Sequence, residues 1–490
     1  MLAIISPQLK NLRMIALEAR MTPNVETHAA GAVMRPATRD PRPAARPAAW
    51  VRPRLPMITC IGLVLHVNAA LGGDLPPALL LASDGGAYQD FGVSAALSEQ
   101  YAVIGATSAP IPGTADTGAA YVFSFNGSRW IQDSKIVVAD AGFRSNFGFR
   151  VAVDGQRIVV GAPNATVNGF PSIGAVYVFV RSGGAWIQQA RLLPERMDRD
   201  QFFGASVAIS GDTIAVGVPG DFVNTNINQG SVQIFARTGN TWARQAQVSS
   251  ADGTDADLFG SAVSIDGDIL AVAAEGDDDD RGAAYVFLRA GSAWAQQAKL
   301  TAPVRQPLDR FGAGVAVTGT TVVAGAPSVD VGSTMDAGAA YVFVRSATGW
   351  SLQTQLLAGD GAAEDYFGVS VAARGDHVLV GAMGDDLGVF EGVGSAYLYR
   401  RTGVSWSLDS KLEPSPGSSG EAGVSVALSN TARLLGAWRS AAGGSTNQGA
   451  AFAFGPAPAA PPVPVVGLGW QGLTVLVLVL ALFATLHPVS

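Results

Sequence analysis

A Phe-Gly pair returns along this chain at nearly constant distance, and that period constrains the fold more than any other feature. The pairs begin at Phe91, Phe147, Phe203, Phe259, Phe311 and Phe367, with Ala422-Gly423 in the next expected place, so seven copies start at intervals of 56, 56, 56, 52, 56 and 55 residues. A period of this size marks arrays and propellers, whose single units cannot bury their apolar faces alone. The length of 490 residues would otherwise suggest several ordinary domains; the repeat predicts one large one.

Each copy reads as four short strands. A first apolar run, such as Val151-Ala152-Val153, is followed after a Gly-containing turn by a second, such as Ile158-Val159-Val160, which closes on a small residue fourteen positions after the Phe: Gly105, Gly161, Gly217, Ala273, Gly325, Gly381 and Gly436. Tight turns between alternating apolar runs predict hairpins. A third run carries alternating aromatics, as in Tyr177-Val178-Phe179, and a fourth starts at a Trp: Trp130, Trp186, Trp242, Trp294, Trp350 and Trp406. The 59 glycines and the charged fraction of 14% suit strands and turns, and almost no helix is expected within the repeats.

Four antiparallel strands per unit predict a propeller blade, and seven units predict an all-β, seven-bladed β-propeller. The seventh copy, Gly423 to Phe454, lacks a Trp strand, while Leu80-Leu81-Ala82-Ser83-Asp84-Gly85 aligns with Leu356-Leu357-Ala358-Gly359-Asp360-Gly361. The N-terminal strand is therefore expected to complete the last blade and to remove the open sheet edges. The 52-residue interval is a deletion between Ala273 and Tyr285, in the loop joining second and third strands.

The Phe-Gly pairs, the Gly-Ala-Pro triplets at Gly161 and Gly325, and the Gly-Ala-Ala-Tyr-Val-Phe strand together resemble the FG-GAP repeat, the blade of the integrin α-chain N-terminal propeller and its bacterial relatives. The resemblance spans roughly residues 75 to 455 and implies the fold; propellers host many activities, so it leaves function open. Many blades of that family carry calcium loops in the first hairpin. The hairpins here, such as Asp154-Gly155-Gln156 and Thr318-Gly319-Thr320, are too short and too poor in acids to encircle a hard cation.

Acids gather instead in two longer loop classes: Asp252, Asp255 and Asp257; Asp277, Asp278, Asp279 and Asp280; Asp360, Glu364 and Asp365; Asp385, Asp386 and Glu391. Alternating strand directions put both classes on one face of the disc. Asp252, Asp255, Asp257 and Asp277 to Asp280 are the candidates for a weak calcium site, and a solvated acidic rim accounts for the same residues. No other cofactor is predicted. Arg374-Gly375-Asp376 spells a cell-attachment tripeptide, but it occupies the same turn as Ser210-Gly211-Asp212 and is explained by the repeat. His377 is the one histidine inside the propeller and Cys60 the one cysteine of the chain, which leaves no material for His-based triads or Cys nucleophiles. No enzyme activity is predicted. The six Trp are expected to pack blade on blade.

The ends follow another logic. Residues 1–56 are rich in Arg, Pro and Ala and read as a disordered extension or a mis-assigned start before Met57. Residues 57–70 have the basic flank, apolar run and small residues of a signal peptide. Beyond the propeller, residues 456–464 form a Pro-rich spacer, and 465–487 are apolar enough for a transmembrane or sorting helix like those of bacterial surface proteins. Residues 71–490 hold 23 basic and 36 acidic side chains, a balance that disfavours nucleic acid as a partner.

These features predict an exported, monomeric, non-catalytic propeller, anchored by its C-terminal helix or secreted after processing. It would mediate binding or adhesion to a protein or carbohydrate ligand at the bacterial cell surface through the long-loop face. The alternative is a lectin or glycan-active enzyme using acids and aromatics on that face.

Overall fold

A computed structural model describes residues 77–110, 116–198, 200–415 and 420–455. The expectations for residues 1–56, 57–70, 456–464 and 465–487 lie outside them. Among the described residues no helix is long and apolar enough to cross a membrane.

Seven four-stranded antiparallel sheets make up the propeller. Blade one is β2 (Phe91–Leu97), β3 (Tyr101–Ala106), β4 (Ala119–Phe125) and β5 (Trp130–Ile136). Blade two is β6 (Arg150–Asp154), β7 (Arg157–Ala162), β8 (Ala175–Ser182) and β9 (Ala185–Leu192). Blade three is β10 (Ser206–Ser210), β11 (Thr213–Val218), β12 (Ser231–Thr238) and β13 (Thr241–Val248). Blade four is β14 (Phe259–Asp266), β15 (Ile269–Ala274), β16 (Ala283–Ala290) and β17 (Ala293–Leu300), with a single turn, α1 (Asp277–Asp280), in the shortened loop. Blade five is β18 (Val315–Thr318), β19 (Thr321–Ala326), β20 (Ala339–Ser346) and β21 (Gly349–Leu356). Blade six is β22 (Phe367–Arg374), β23 (His377–Ala382), β24 (Ser395–Thr402) and β25 (Ser405–Leu412). In blade seven, β26 (Ser425–Leu428), β27 (Arg433–Ala437) and β28 (Ala450–Phe454) are joined by β1 (Ala78–Leu80), with Ala78 opposite Ala453 and Leu80 opposite Ala451.

The first strand of each blade packs against the first strand of the next, and β26 packs against β2, so these strands form the inner ring. Within each of the first six blades the pairing of third and fourth strands shifts by one residue at a bulge, for instance between Val178 and Phe179. Such bulges sharpen the twist that lets flat sheets pack radially.

The repeat residues make the core. The six Phe of the Phe-Gly pairs are fully buried, each meeting the third strand's aromatics where it has them; Phe147 lies 5.5 Å from Tyr177 and 6.3 Å from Phe179, ring edges against ring faces. Each such pair adds about 0.5–1.5 kcal/mol beyond the area buried.

The glycines have a different task. A Cβ at Gly105, Gly161, Gly217, Gly325, Gly381 or Gly436 would lie 1.9–2.1 Å from the carbonyl oxygen of the Phe-Gly glycine in the following blade. The two signature glycines thus face each other across every such seam, where backbone meets backbone. Ser94, Ser206, Ser370 and Ser425 use the closeness, their hydroxyls donating to the carbonyls of Gly148, Gly260, Gly423 and Gly92 at 2.7–2.8 Å. The last of these bonds joins blade seven to blade one. So does the Phe91 N–H bonded to the Gln448 carbonyl at 3.2 Å, which repeats the Phe147-to-Thr117 and Phe203-to-Ile173 bonds of earlier seams.

Candidate functional site

The two loop classes converge on one face, as the chain directions require. In the loop that enters each of the first six blades, two residues ahead of the Phe take a left-handed backbone and flank a buried one: Ala256 and Leu258 around Asp257, Leu308 and Arg310 around Asp309, Glu364 and Tyr366 around Asp365. The buried carboxylates cap the loop. Asp257 accepts from the Thr254 N–H at 2.7 Å, Asp309 from the Gln306 N–H at 2.7 Å and Asp365 from the Ala362 N–H at 2.6 Å. Burial raises the pKa of all three above the ordinary carboxylate value, against those hydrogen bonds.

Several of the acids expected to line a calcium site are drawn to cations of the outer strand and the next entry loop. Lys299 Nζ lies 2.7 Å from Asp252 and 2.6 Å from Asp277, and the Tyr285 hydroxyl is 3.0 and 2.9 Å from the same two carboxylates. Arg305 reaches Asp277 at 3.2 Å and Asp278 at 3.3 Å. Blade six repeats the arrangement, with Lys411 2.8 Å from both Asp360 and Asp385, and Tyr397 2.8 and 3.1 Å from them. Burial pushes Asp252 and Asp360 up, but the hydrogen bonds from lysine and tyrosine outweigh it and hold both below the usual range. Burial and the neighbouring carboxylates together raise Tyr285 and Tyr397 far beyond the ordinary phenol.

Of the seven candidate residues, the structure brings Asp252 and Asp277 together through Lys299, with the carboxylate of Asp257 near that of Asp277. Asp255 turns to the neighbouring loop and accepts from the Ile227 N–H at 2.8 Å. Asp278 and Asp279 are exposed on left-handed backbone, Asp278 3.4 Å from Arg281, and Asp280 lies in the field of Arg310. Among the described residues no group of three or more His, Cys, Asp or Glu side chains is placed to hold a metal ion.

Charge counting had missed the cations because they stand on the fourth strand, far along the chain from the loops. A signal was present nonetheless. Asp84, Asp140, Asp252 and Asp360 stand seven residues before their Phe, and the same four blades carry Lys135, Arg191, Lys299 and Lys411 five residues after the Trp. Where the acid is replaced, by Arg196 or Val304, the cation is Gln247 or Gln355. Lys135 bonds Asp84 at 2.7 Å and Arg191 pairs with Asp140 at 3.2 Å. The acid and base are therefore one device, present or absent as a pair, that ties the entry loop to the outer strand.

The tips of this face carry apolar side chains in water. Phe143 is 57% exposed, Ile227 50%, Met335 57%, Phe390 53% and Val389 88%. Four of the long loops are pinned by one bridge each, Val167 to Phe170, Val223 to Asn226, Val331 to Thr334 and Leu387 to Phe390, so the tips are held in place.

The opposite face bears the first-hairpin turns. There the Gly375 N–H donates to Thr318 Oγ1 at 3.0 Å, as Gly211 does to Asp154, Gly267 to Ser210 and Gly319 to Asp266. Arg374 lies 3.7 Å from Glu99 of blade one, and Asp376 lies 2.7 Å from Arg401 of its own blade, so all three residues of the Arg-Gly-Asp turn are engaged within the propeller. Trp residues also serve the seams: Trp242 and Trp406 donate to Gln189 and Gln353 of the preceding blade at 2.9 and 2.7 Å, and Trp186 packs edge-on to Tyr101 at 5.2 Å.

Comparison with known proteins agrees with this reading of the repeat. The solved structure of Saccharomyces cerevisiae Sqt1 is similar over 78% of this chain and 98% of its own, at 9% identity and a TM-score of 0.42, a likeness too remote to carry any argument. The sequence profile described as FG-GAP repeat matches residues 77–123, 130–179, 186–235, 242–287, 294–343 and 350–399, each segment running from an outer strand through the third strand of the following blade. With more than half of its residues in those matches, and with the paired glycines seated at the blade seams, the chain belongs to the FG-GAP repeat family.

Proposed function

We propose that this protein is a non-catalytic binding module, exported and held at the bacterial cell surface, and that it engages a protein ligand through the long-loop face. The observation that carries this reading is the set of pinned loop tips bearing Ile227, Met335, Val389 and Phe390 in solvent, with Phe143 of an entry loop exposed on the same face. Apolar surface gathered on one face, with charged residues around it, is the composition of an interaction site. Four acids of these loops, Asp252, Asp277, Asp360 and Asp385, are already engaged by lysine and tyrosine. In this reading Ala78–Leu80 acts as the clasp of the ring. Its pairing with β28 supports that role, as does the first family match, which begins at residue 77 as the others begin at a Trp strand.

The test has two parts. Protease shaving of intact cells should release propeller peptides; release of none removes the surface assignment. Purified protein should bind whole cells or surface-protein extracts, and Val389→Asp with Phe390→Asp should abolish that binding while the circular dichroism spectrum is kept. Glycan turnover lost on substituting an acid of the loop face would replace this reading with a glycan-active enzyme, and binding on a glycan array without turnover would replace it with a lectin.

A further inference from the structure

Six of the seven blade seams are built alike. At the seam of blades one and two, Val122 and Ile136 of one blade and Phe179 of the next form a buried cluster, and Trp186 from the outer strand of blade two packs against it. The equivalent clusters at the other five seams receive Trp242, Trp294, Trp350, Trp406 and, across the ring closure, Trp130. At two of these seams a glutamine of the preceding blade binds the indole N–H, Gln189 to Trp242 and Gln353 to Trp406, whereas the indole N–H groups of Trp294 and Trp350 are buried without a hydrogen-bond partner.

The seam of blades six and seven has the same cluster, Leu398, Leu412 and Phe454, and among the described residues no tryptophan packs on it. The cause is in the sequence. In each other blade the Trp lies six residues before the last apolar residue of its strand, and counting back from Leu80 puts Asp74 in that register, with no aromatic residue anywhere from Leu71 to Pro77. Pro77, just before β1, has no N–H to donate, and β28 ends at Phe454. A pocket of about 240 Å³ lies there, lined by Leu398, Leu412, Phe454 and Gly455 and by the polar Asp409, Ser410 and Arg433. Asp409 holds the sequence position of Gln189 and Gln353, the residues that bind an indole N–H elsewhere. Arg433 Nε is buried in this seam without a hydrogen-bond partner.

We propose that this rim pocket binds a tryptophan side chain presented by an extended segment of a partner protein. The volume falls below the roughly 300–1,000 Å³ of small-molecule sites and suits one side chain. The walls are those that hold an indole in six other copies. Asp409 supplies an acceptor, which selects tryptophan, a donor, over phenylalanine. The site is on the outer edge of the disc, away from the loop face, so it stands or falls apart from the function proposed above.

The probe is the octapeptide copied from Ser405–Leu412, Ser-Trp-Ser-Leu-Asp-Ser-Lys-Leu, acetylated, amidated and fluorescein-labelled, with versions carrying Ala or Phe in place of Trp. Fluorescence anisotropy with the full protein should show saturable binding of the Trp peptide. The Ala version should bind weaker by roughly tenfold or more, as for loss of an aromatic anchor. The Phe version should fall between them, and Asp409→Ala should bring the Trp peptide to the level of the Phe peptide. Ser410→Trp, which fills the pocket from its wall, should abolish binding with the circular dichroism spectrum retained. Equal affinity for the Trp and Ala peptides, no binding of any peptide, or unchanged binding by both variants overturns the proposal.

Discussion

Replacing Gly217 with alanine is the sharpest test of what the repeated glycines do. The added methyl would lie 2.0 Å from the Gly260 carbonyl oxygen and 2.1 Å from Ser206 Oγ, whereas ordinary contact is ~3.5 Å. Neither neighbour can swing aside cheaply, since one is backbone of the next blade and the other is a buried hydroxyl donating to that same carbonyl at 2.7 Å. The blades must part, at an overpacking cost of about 1–3 kcal/mol, and the hydrogen bond is lost for about 1 kcal/mol more. Gly217→Ala should therefore destabilise the protein by about 2–4 kcal/mol, read as a lower urea midpoint with the native circular dichroism spectrum kept below the transition. Adding Ser206→Ala removes one of the two collisions, so the double variant should be more stable than the sum of the single effects. Ala273 provides the internal control. It already holds the equivalent place, with its Cβ 3.1 Å from where a Cβ at Gly312 would be, at the one seam followed by the shorter interval. Ala273→Gly should cost only about 0.5–1 kcal/mol, from backbone entropy. A Gly217→Ala protein that unfolds at the wild-type urea concentration, or an Ala273→Gly protein damaged as much as Gly217→Ala, refutes the close-approach argument.

Lys411→Met leaves buried Asp385 without its cation and should lower stability by about 3–5 kcal/mol, whereas Asp360→Asn at the exposed end of the same network should cost about 1 kcal/mol or less; a urea series that ranks them equally contradicts the pairing. Asp365 has a raised folded pKa, so its contribution to stability is complete below the ordinary value of 3.8 and is lost as pH rises through the folded value. Asp365→Asn, which keeps the acceptor for the Ala362 N–H, should therefore gain on the wild type at pH 7 and lose that advantage near pH 3.5; thermal melts showing a pH-independent difference would count against it. Leu80→Asp puts a charge into the clasp strand opposite Ala451, and it should lower the melting temperature and promote aggregation seen by light scattering, while Leu79→Asp, at a 43%-exposed position, should do neither.

Much of the architecture was readable before any coordinates. Phe147, Tyr177 and Trp186 recur at fixed spacing because each blade solves the same packing problem, and identical problems leave identical residues. The Arg-Gly-Asp turn was likewise legible as a repeat turn from Ser210-Gly211-Asp212. The acidic clusters were misleading for the opposite reason. Asp277 to Asp280 stand together in sequence, but what neutralises Asp277 is Lys299 on an outer strand and Arg305 in the next entry loop. Charge counting within a loop cannot register partners supplied by another strand, although the joint presence of Asp with Lys or Arg in four blades encoded the pairing.

By itself, the sequence determined the number of blades, the strands of each and the residues of the core, because hydrophobic period and glycine placement are local properties repeated seven times. Only the tertiary structure decided which acids are already paired, which apolar tips stand in water, and that the seam of blades six and seven repeats the walls that hold a tryptophan at the other six. Those properties belong to contacts between blades, where distance in space is unrelated to distance along the chain.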